Sequence, residues 1–463
     1  MKVMSVTTLE SLATCFQGVW PAQLLTCSSD GIPNAAYLSQ VEYVDSRHVA
    51  LSFQFFNKSR RNIAENPHAL VIVIDPDTGQ GWQLRLKYVR SEASGPLFDR
   101  MALRIEAIAS YSGLKGIFKL RASDVYEVVA IEPAPEESGG SRGCLAAREG
   151  RADMPAALFT MKALQDVAGH INRADCLETL VDSILKALED SFGFRHSAML
   201  VPAEEEGVLV TIATRGYPQK GAGAEVRFGE GIGGLVAEAR EPIRISGLMR
   251  GILYAYAMHK QAADPAAPQY RRRIPMPGLA NPESLLGVPL LVRGELVGVL
   301  CVESEKPYRF HEEDKAAIEL LGNYVAIAMQ NMQMRERAAE PHDEASRPTP
   351  APKPAGSGRH EIVYYEGDEC ILVDGEYLIR SLPARILWKL LTTREATGRD
   401  EFTNRELRLD KSLNLPAWKD NLESRLLLLR RRLDEKCPDI RIVPRARGRF
   451  GLELACSVEL QPR

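Results

Sequence analysis

Arginine is concentrated near the C-terminal end of this 463-residue chain, in the stretch "ESRLLLLRRRLDEKCPDIRIVPRARGRFGLEL". Residues 419 to 449 contain ten Lys or Arg and five Asp or Glu, although the whole chain has a formal net charge of −3. Basic side chains grouped in this way can neutralise several phosphates of a nucleic acid. The same charges can also form ion pairs along a solvated helix face, so their spacing leaves both interpretations open.

The elements around these arginines can be predicted from start signals. Leucines recur at helical spacing and predict a helix from about Pro416 to Lys436 with its apolar face inward. One helix is predicted after Ser381, and another at Thr403, which forms a capping box with Glu406. Strands precede these helices and a hairpin follows them, which is an α+β order.

This C-terminal stretch resembles the winged-helix DNA-binding domain of response-regulator-type transcription factors. The resemblance makes "NLESRLLLLRRRLDE" the recognition helix and "IRIVPRARGRFGLEL" the wing. It departs at the wing's end, where that family usually has Gly-Tyr and this chain has Gly-Arg-Phe-Gly. It implies a helix in the major groove of double-stranded DNA, with wing arginines on the flanking backbone. The residues assigned to DNA are Lys419, Ser424, Arg425, Arg431 and Arg432 on the outward helix face, and Arg445, Arg447 and Arg449 in the wing.

The middle of the chain contains strand signals between two terminal helices, which predicts a helix-flanked antiparallel sheet. The stretches "FGEGIGGLVAEAREPIRI" and "LLGVPLLVRGELVGVLCVESEKPYRFHEEDKAAIELLGNYVAIAMQN" resemble a GAF domain, a small-molecule sensor fold. The resemblance implies an effector pocket between them, lined by Tyr254, Tyr256, Met258 and His259. The same set could offer an imidazole to a haem iron, but a lone His is far more often structural, so haem is disfavoured.

The closing helix of this middle stretch has an apolar stripe at alternating three- and four-residue spacing. The stripe consists of Ile318, Leu321, Val325, Ala328 and Met332. Such a short heptad seam predicts a homodimer. The alternative is that the stripe covers the sheet of its own domain.

Short strand signals separated by turns predict an all-β barrel or sandwich at the N-terminal end. The stretch "VALSFQFFNKSRRNIAENPHALVIV" resembles the flavin-binding split barrel of pyridoxamine 5'-phosphate oxidase-like proteins, where a Ser-Arg-Lys element binds the FMN phosphate. The implied FMN-binding residues are Lys58, Ser59, Arg60, Arg61, Gln83 and Arg85, with Arg61 in place of the Lys. Guanidinium groups at a helix start suit a phosphate dianion. The alternative is a barrel without cofactor that serves as a dimerisation platform.

A Pro-, Ala-, Ser- and Gly-rich segment predicts a linker, and a weaker composition break lies near residues 133 to 155. The predicted domains are a split barrel at 1–135, a GAF domain at 156–338, a linker at 339–358 and a winged helix at 359–463. The fold class is therefore multidomain α+β: a split β-barrel, then a GAF α/β sandwich with an antiparallel sheet, then a winged helix.

Several chemistries find no support in the sequence. The eight cysteines show neither CxxC nor zinc-finger spacing, so reduced thiols and no zinc or other metal site are expected. No Ser/His/Asp, paired-carboxylate or Cys/His arrangement identifies a catalytic residue. No apolar run could span a bilayer and no signal peptide is visible, which predicts a cytoplasmic protein without a membrane partner.

The favoured interpretation is a one-component cytoplasmic transcription regulator. A flavin, redox or small-molecule signal received by the barrel or GAF domain would change a dimer that binds DNA through winged helices. One alternative is an FMN-dependent oxidoreductase with regulatory GAF and winged-helix domains. Another is a signalling scaffold whose winged helix binds protein. Enzyme activity stays open, with a non-enzymatic role favoured.

Overall fold

The computed structural model describes residues 7–18, 20–53, 58–76, 78–112, 119–135, 156–248, 274, 276–338, 358–413, 415, 422–446 and 448–463. These residues form an N-terminal block (residues 7–135), a middle block (156–338) and a C-terminal block (358–463). Across the described ranges, no helix is both long and apolar enough to cross a membrane.

The N-terminal block is built on a seven-stranded sheet with the order β2-β1-β5-β6-β7-β4-β3. Its strands are β1 (Ala22–Cys27), β2 (Pro33–Leu38), β3 (Val41–Asp45), β4 (His48–Phe53), β5 (His68–Ile74), β6 (Gly81–Glu92) and β7 (Ala122–Pro133). A 3-10 helix (Glu10–Gln17) and two α-helices, α1 (Lys58–Glu65) and α2 (Pro96–Ser112), accompany the sheet. Every neighbouring strand pair is antiparallel. The sheet agrees with the strand-rich prediction, while its closure as a split barrel stays a prediction.

The middle block has a six-stranded antiparallel sheet with the order β10-β9-β8-β13-β12-β11. Its strands are β8 (His196–Pro202), β9 (Val208–Arg215), β10 (Glu225–Arg227), β11 (Ile243–Ser246), β12 (Ser284–Val292) and β13 (Glu295–Ser304). Its helices are α3 (Ala156–Arg173), α4 (Leu177–Phe192), α5 (Gly231–Ala239) and α6 (Glu312–Ala338). Helices α3, α4 and α6 pack on one face of the sheet, and α5 packs on the other, against Gly287. The predicted helix-flanked antiparallel sheet is confirmed.

The apolar seam predicted on the closing helix is used inside the block. Ile318, Leu321 and Val325 of α6 are buried in the core that the helix shares with the sheet. The alternative, in which the stripe covers the sheet of its own domain, therefore holds for these three residues, and the homodimer stays a prediction.

The C-terminal block has two small sheets with the orders β16-β15-β14-β20 and β17-β19-β18. Its strands are β14 (Arg359–Tyr365), β15 (Cys370–Val373), β16 (Glu376–Arg380), β17 (Glu401–Thr403), β18 (Ile440–Ala446), β19 (Arg449–Leu454) and β20 (Ser457–Pro462). Its helices are α7 (Ser381–Thr397), α8 (Asn404–Leu409), a 3-10 turn (Lys411–Leu413) and α9 (Leu422–Lys436). The predicted Thr403 cap forms, since its hydroxyl accepts a hydrogen bond from the Glu406 N–H at 3.2 Å. The arginine-bearing hairpin is β18 paired with β19.

Helix α9 is buried on most of its circumference. Its four consecutive leucines, Leu426 to Leu429, are all buried, and so are Ser424, Arg425 and Arg432. A helix with apolar residues all round needs partners on more than one side. Helix α9 lies between α7, β16 and β18 of its own block and α4 and β9 of the middle block. The prediction that Ser424, Arg425 and Arg432 lie on an outward face is therefore wrong.

Candidate functional site

The contact between α9 and the middle block centres on Arg425. Its guanidinium pairs with the Glu204 carboxylate, and its Nη2 donates a hydrogen bond to the Pro202 carbonyl oxygen at 2.7 Å. The Arg425 side chain is 2% exposed and that of Glu204 is 23% exposed. Burial lowers the pKa of Arg425 and Glu204 opposes that shift, but a guanidinium whose ordinary pKa exceeds about 12 remains charged. A buried cation that relies on a carboxylate of the other block is a strong coupling element.

A second arginine extends the contact by nearly two helical turns. Arg431 Nη1 donates to the Ile212 carbonyl oxygen at 3.0 Å, and its Nη2 lies 2.6 Å from Asp182 Oδ1. Arg430 lies 3.5 Å from Glu178 of the same helix α4. The arginines of α9 thus bind carbonyl oxygens and carboxylates of the middle block.

Strand β16 contributes the third point of attachment. Arg380 Nε lies 2.5 Å from Glu225 Oε1, and Arg380 Nη2 lies 3.4 Å from Glu205 Oε2. Hydrogen bonding to Glu225 raises the pKa of Arg380 further above its ordinary value. A cleft between the two blocks is lined by Glu204, Glu225, Ile274, Tyr377, Arg380 and Arg425.

Ile274 and residues 276 to 279 of the middle block lie between this contact and the far face of the sheet. A Cβ placed on Gly223 would lie 2.7 Å from Ile274 Cδ1 and 3.5 Å from Arg432 Cδ, so Ile274 packs where α9 meets the sheet. Thr211 Oγ1 donates to Met276 Sδ at 3.1 Å. The Leu279 N–H donates to Glu303 Oε2 at 3.1 Å.

Glu303 belongs to the same sheet face as α5. It lies two residues beyond Cys301, whose thiol faces Gly233 of α5, so strand alternation gives both side chains one face. Burial raises the pKa of Glu303, and hydrogen bonds from the Leu279 N–H and the Tyr217 side chain partly offset the shift. The predicted effector residues Tyr254, Tyr256, Met258 and His259 lie outside the described residues.

The wing arginines are placed differently from those of α9. Arg445 is about half exposed and its Nη2 lies 2.6 Å from Glu453 Oε1 on the neighbouring strand. Arg449 begins β19, opposite Ala446. Lys419 and Arg447 lie outside the described residues. Among the described residues that were assigned to DNA, Arg445 and Arg449 belong to the β18–β19 hairpin and not to α9.

The predicted FMN-binding residues fall into two groups. Ser59 is buried and its hydroxyl accepts a hydrogen bond from Asn34 Nδ2 at 2.9 Å. The Arg60 guanidinium lies 4.1 Å from the centre of the Phe53 ring and interacts electrostatically with Asp124. Lys58 and Arg61 are exposed on the same helix.

Gln83 and Arg85 form the other group. They alternate with core residues Leu84 and Leu86, which puts their side chains on the outer face of the sheet. Arg85 Nη2 lies 3.3 Å from Glu132 Oε2. Helix α1 packs on the core side, where Asn62 donates to Thr26 at 3.2 Å. The structure does not bring these two residues to Ser59 and Arg60, so a phosphate at α1 would rest on the helix residues.

One cluster of metal-ligand residue types has no signal in the sequence. Within the part of the chain that the structure describes, His360, Asp439 and Cys456 place one ligand atom each within 4.8 Å of the others. Hydrogen bonds with Asp374 and Asp439 raise the pKa of His360. Their separation along the chain fits no local motif, and only the fold brings them together.

Comparison with known proteins identifies the middle block. Residues 175–330 match the model of the GAF domain family, so the chain contains a GAF domain, as predicted. No curated protein matches the chain.

Similar solved structures include the GAF domain of a phosphoenolpyruvate-protein phosphotransferase from Coxiella burnetii, with 22% identity over 40% of this chain and 99% of that one and a TM-score of 0.31. Free methionine-R-sulfoxide reductase from Neisseria meningitidis has 18% identity over 40% and 96%, with a TM-score of 0.31. An FMN-binding protein from Syntrophomonas wolfei has 20% identity over 27% and 88%, with a TM-score of 0.23.

Proposed function

We propose that this chain is a one-component transcription regulator in which the GAF domain holds the DNA-binding helix until an effector binds. The observation that carries the proposal is the capture of α9 by the GAF domain. Arg425 and Arg431 bind Glu204, Asp182 and two backbone carbonyl oxygens there. These contacts satisfy the donors that would otherwise bind phosphate or base edges.

The proposal requires two states of the C-terminal block. In the docked state, the GAF domain covers α9 while the β18–β19 hairpin stays accessible. In the released state, α9 enters the major groove and the hairpin arginines bind the flanking backbone. An effector shifts this equilibrium only by binding the two states with different affinities.

The contacts of Ile274 and Leu279 support a route for that differential binding. Ile274 packs at Gly223, beside α9, and the Leu279 N–H donates a hydrogen bond to Glu303 on the α5 face. A small molecule that binds Glu303 competes with the Leu279 N–H. Movement of Leu279 then changes the packing of Ile274 under α9. A ligand with hydrogen-bond donors or a positive charge suits this carboxylate.

A homodimer is proposed on a different surface from the buried seam. Leu320, Tyr324, Ile327 and Met334 of α6 are exposed and recur at helical spacing. Exposed Met161 of the adjacent helix α3 adds to this apolar surface. Two copies joined here would pair two C-terminal blocks, which suits DNA sites with two-fold symmetry.

DNA binding by the full-length protein tests the proposal. Binding to a pool of random-sequence duplexes is measured by fluorescence anisotropy at several salt concentrations. We expect log Kd to increase linearly with the logarithm of the salt concentration. Replacing Arg445 and Arg449 by Ala lowers both affinity and salt slope, whereas the exposed Arg47→Ala control in the N-terminal block leaves both unchanged. No detectable binding at the lowest salt concentration, or an affinity that does not change with salt, would refute the DNA-binding role.

A further inference from the structure

The strongest unassigned cluster lies where the ends of several C-terminal elements meet. His360 is on β14, Asp374 is in the turn between β15 and β16, Asp439 follows α9, and Cys456 joins β19 to β20. His360 Nε2 lies 3.1 Å from Asp439 Oδ2, and its Nδ1 lies 2.6 Å from Asp374 Oδ2. Cys456 is buried, and its sulfur lies within 4.8 Å of the ligand atoms of His360 and Asp439.

A second buried thiol stands beside this group. Cys437 directly follows the last residue of α9 and is 1% exposed. Its thiol interacts electrostatically with Cys456, Asp439 and Asp374. Hydrogen bonds from its N–H to Leu433 and from the Ile440 N–H to its carbonyl fix its backbone. Two thiols, an imidazole and a carboxylate thus come from three places in the fold: β14, the connection after α9, and the turn between β19 and β20.

We propose that this group is a structural zinc site. His360 Nε2, one Asp439 oxygen and the Cys456 sulfur are three of its ligands. The Cys437 sulfur, which lies outside that group, moves in as the fourth and completes a tetrahedral mixture of nitrogen, oxygen and sulfur donors that zinc accepts. Asp374 acts through His360 by holding its Nδ1–H, the arrangement of carboxylate, histidine and metal that orients an imidazole ligand.

The first three ligands require only a small contraction, and Cys437 has to move further. Zn–N and Zn–S distances of about 2.0 to 2.3 Å put ligand atoms roughly 3.3 to 3.8 Å apart in a tetrahedral site. The three ligand atoms here already lie within 4.8 Å of one another. On binding, the His360 Nε2 proton and both thiol protons leave to solvent, and zinc takes their place.

The bound ion would join the first strand after the linker to the end of α9. Because metal binding at a site absent from the unfolded chain adds directly to folding free energy, zinc stabilises the C-terminal block. This consequence does not depend on DNA binding or on docking to the GAF domain.

The full-length protein, purified without a histidine tag, tests the site. We expect one zinc ion per chain by elemental analysis, and a thermal midpoint that falls after removal by a strong chelator and returns with zinc. Cobalt added to the metal-free protein is expected to give thiolate-to-cobalt charge-transfer absorption together with tetrahedral d–d bands. Asp439→Asn should weaken zinc binding at least tenfold, because removal of even a partner of a metal ligand costs about 10- to 100-fold in metal affinity. Replacement of the exposed Asp434 by Asn is the matched control.

The charge-transfer band tests thiolate ligation in the wild-type protein itself, so the test does not depend on a cysteine variant that fails to fold. The proposal would be overturned if the purified protein contained less than one zinc ion per chain and its thermal midpoint changed neither with chelator nor with added zinc. Cobalt binding without a thiolate band would also overturn it, because the metal would then be held by the histidine and carboxylates alone.

Discussion

Replacing Glu204 by Gln is expected to release α9 from the GAF domain. The substitution keeps the size of the side chain but removes the negative charge opposite Arg425, whose side chain is 2% exposed. The guanidinium would remain buried with the Pro202 carbonyl as its acceptor. A buried cation left without its counter-ion favours any state in which water reaches it.

The size of the effect follows from the geometry. Removing one partner of a fully buried ion pair costs about 3 to 5 kcal/mol. The retained hydrogen bond to Pro202 and the partial exposure of Glu204 reduce this to about 2 kcal/mol. Since about 1.4 kcal/mol corresponds to a factor of ten, the population of the released state should rise about 30-fold.

Thiol labelling at Leu428 measures that population. Leu428 is buried against the GAF domain, and its Cδ1 lies 3.7 Å from the position that a Cβ on Gly223 would occupy. In a Leu428→Cys background, the labelling rate is proportional to the open population when opening and closing are fast. Mass spectrometry of the peptide containing position 428 separates this signal from that of the native cysteines.

Glu206→Gln is the matched control for this experiment, because Glu206 is exposed in the same turn between β8 and β9. We expect about 30-fold faster labelling with Glu204→Gln and no change with Glu206→Gln. Equal rates in the two variants would show that the ion pair does not hold α9, and would refute the reasoning.

Three other expectations concern other parts of the chain. Because burial raises the pKa of Glu303, the free energy of unfolding falls as the pH rises from the ordinary Glu pKa through the raised one. Glu303→Gln should therefore make the thermal midpoint less dependent on pH over that window. A pH dependence equal to that of the wild-type protein would contradict this. Tyr324→Glu should halve the mass found by sedimentation, with exposed Tyr37→Glu as control, and an unchanged mass would place the dimer elsewhere. After incubation with FMN and removal of free flavin, the Arg60→Ala protein should show no flavin absorption and the Arg85→Ala protein should retain it. The reason is that the two guanidinium groups lie on different sides of the sheet. Equal loss in both variants would contradict the assignment of the phosphate to helix α1.

Local signals in the sequence predicted several elements well. The Thr403 cap and the β18–β19 hairpin formed as expected, because hydrophobic periodicity and capping act over a few residues. The GAF prediction was confirmed for residues 175–330. The split barrel, the winged helix and the predicted domain boundaries stay predictions.

The face of α9 could not be read from helical spacing alone. Leucines at the predicted positions point inward, but the run from Leu426 to Leu429 also gives the helix an apolar opposite face. That run was the available signal that a second partner covers α9. The identity of the partner was not readable, because Glu204 and Asp182 lie more than 200 residues before Arg425 and Arg431.

Two further mismatches have the same origin in tertiary structure. The stripe of Ile318, Leu321 and Val325 satisfied a dimer pattern and a core pattern equally well, and packing against the sheet decided between them. The grouping of His360, Asp439 and Cys456 depends on the meeting of β14, α9 and β20, which no local spacing encodes.

The most direct test of the central claim compares DNA affinity in the docked and released proteins. Full-length wild-type, Glu204→Gln and Glu206→Gln proteins would be titrated into the same fluorescent duplex pool at one salt concentration. If docking to the GAF domain withholds α9, apparent affinity rises with the released population, up to about 30-fold for Glu204→Gln, and stays at the wild-type value for Glu206→Gln. The contradicting result would be an unchanged DNA affinity of Glu204→Gln although labelling in the Leu428→Cys background shows that the substitution releases α9. It would contradict the claim that the GAF domain controls DNA binding.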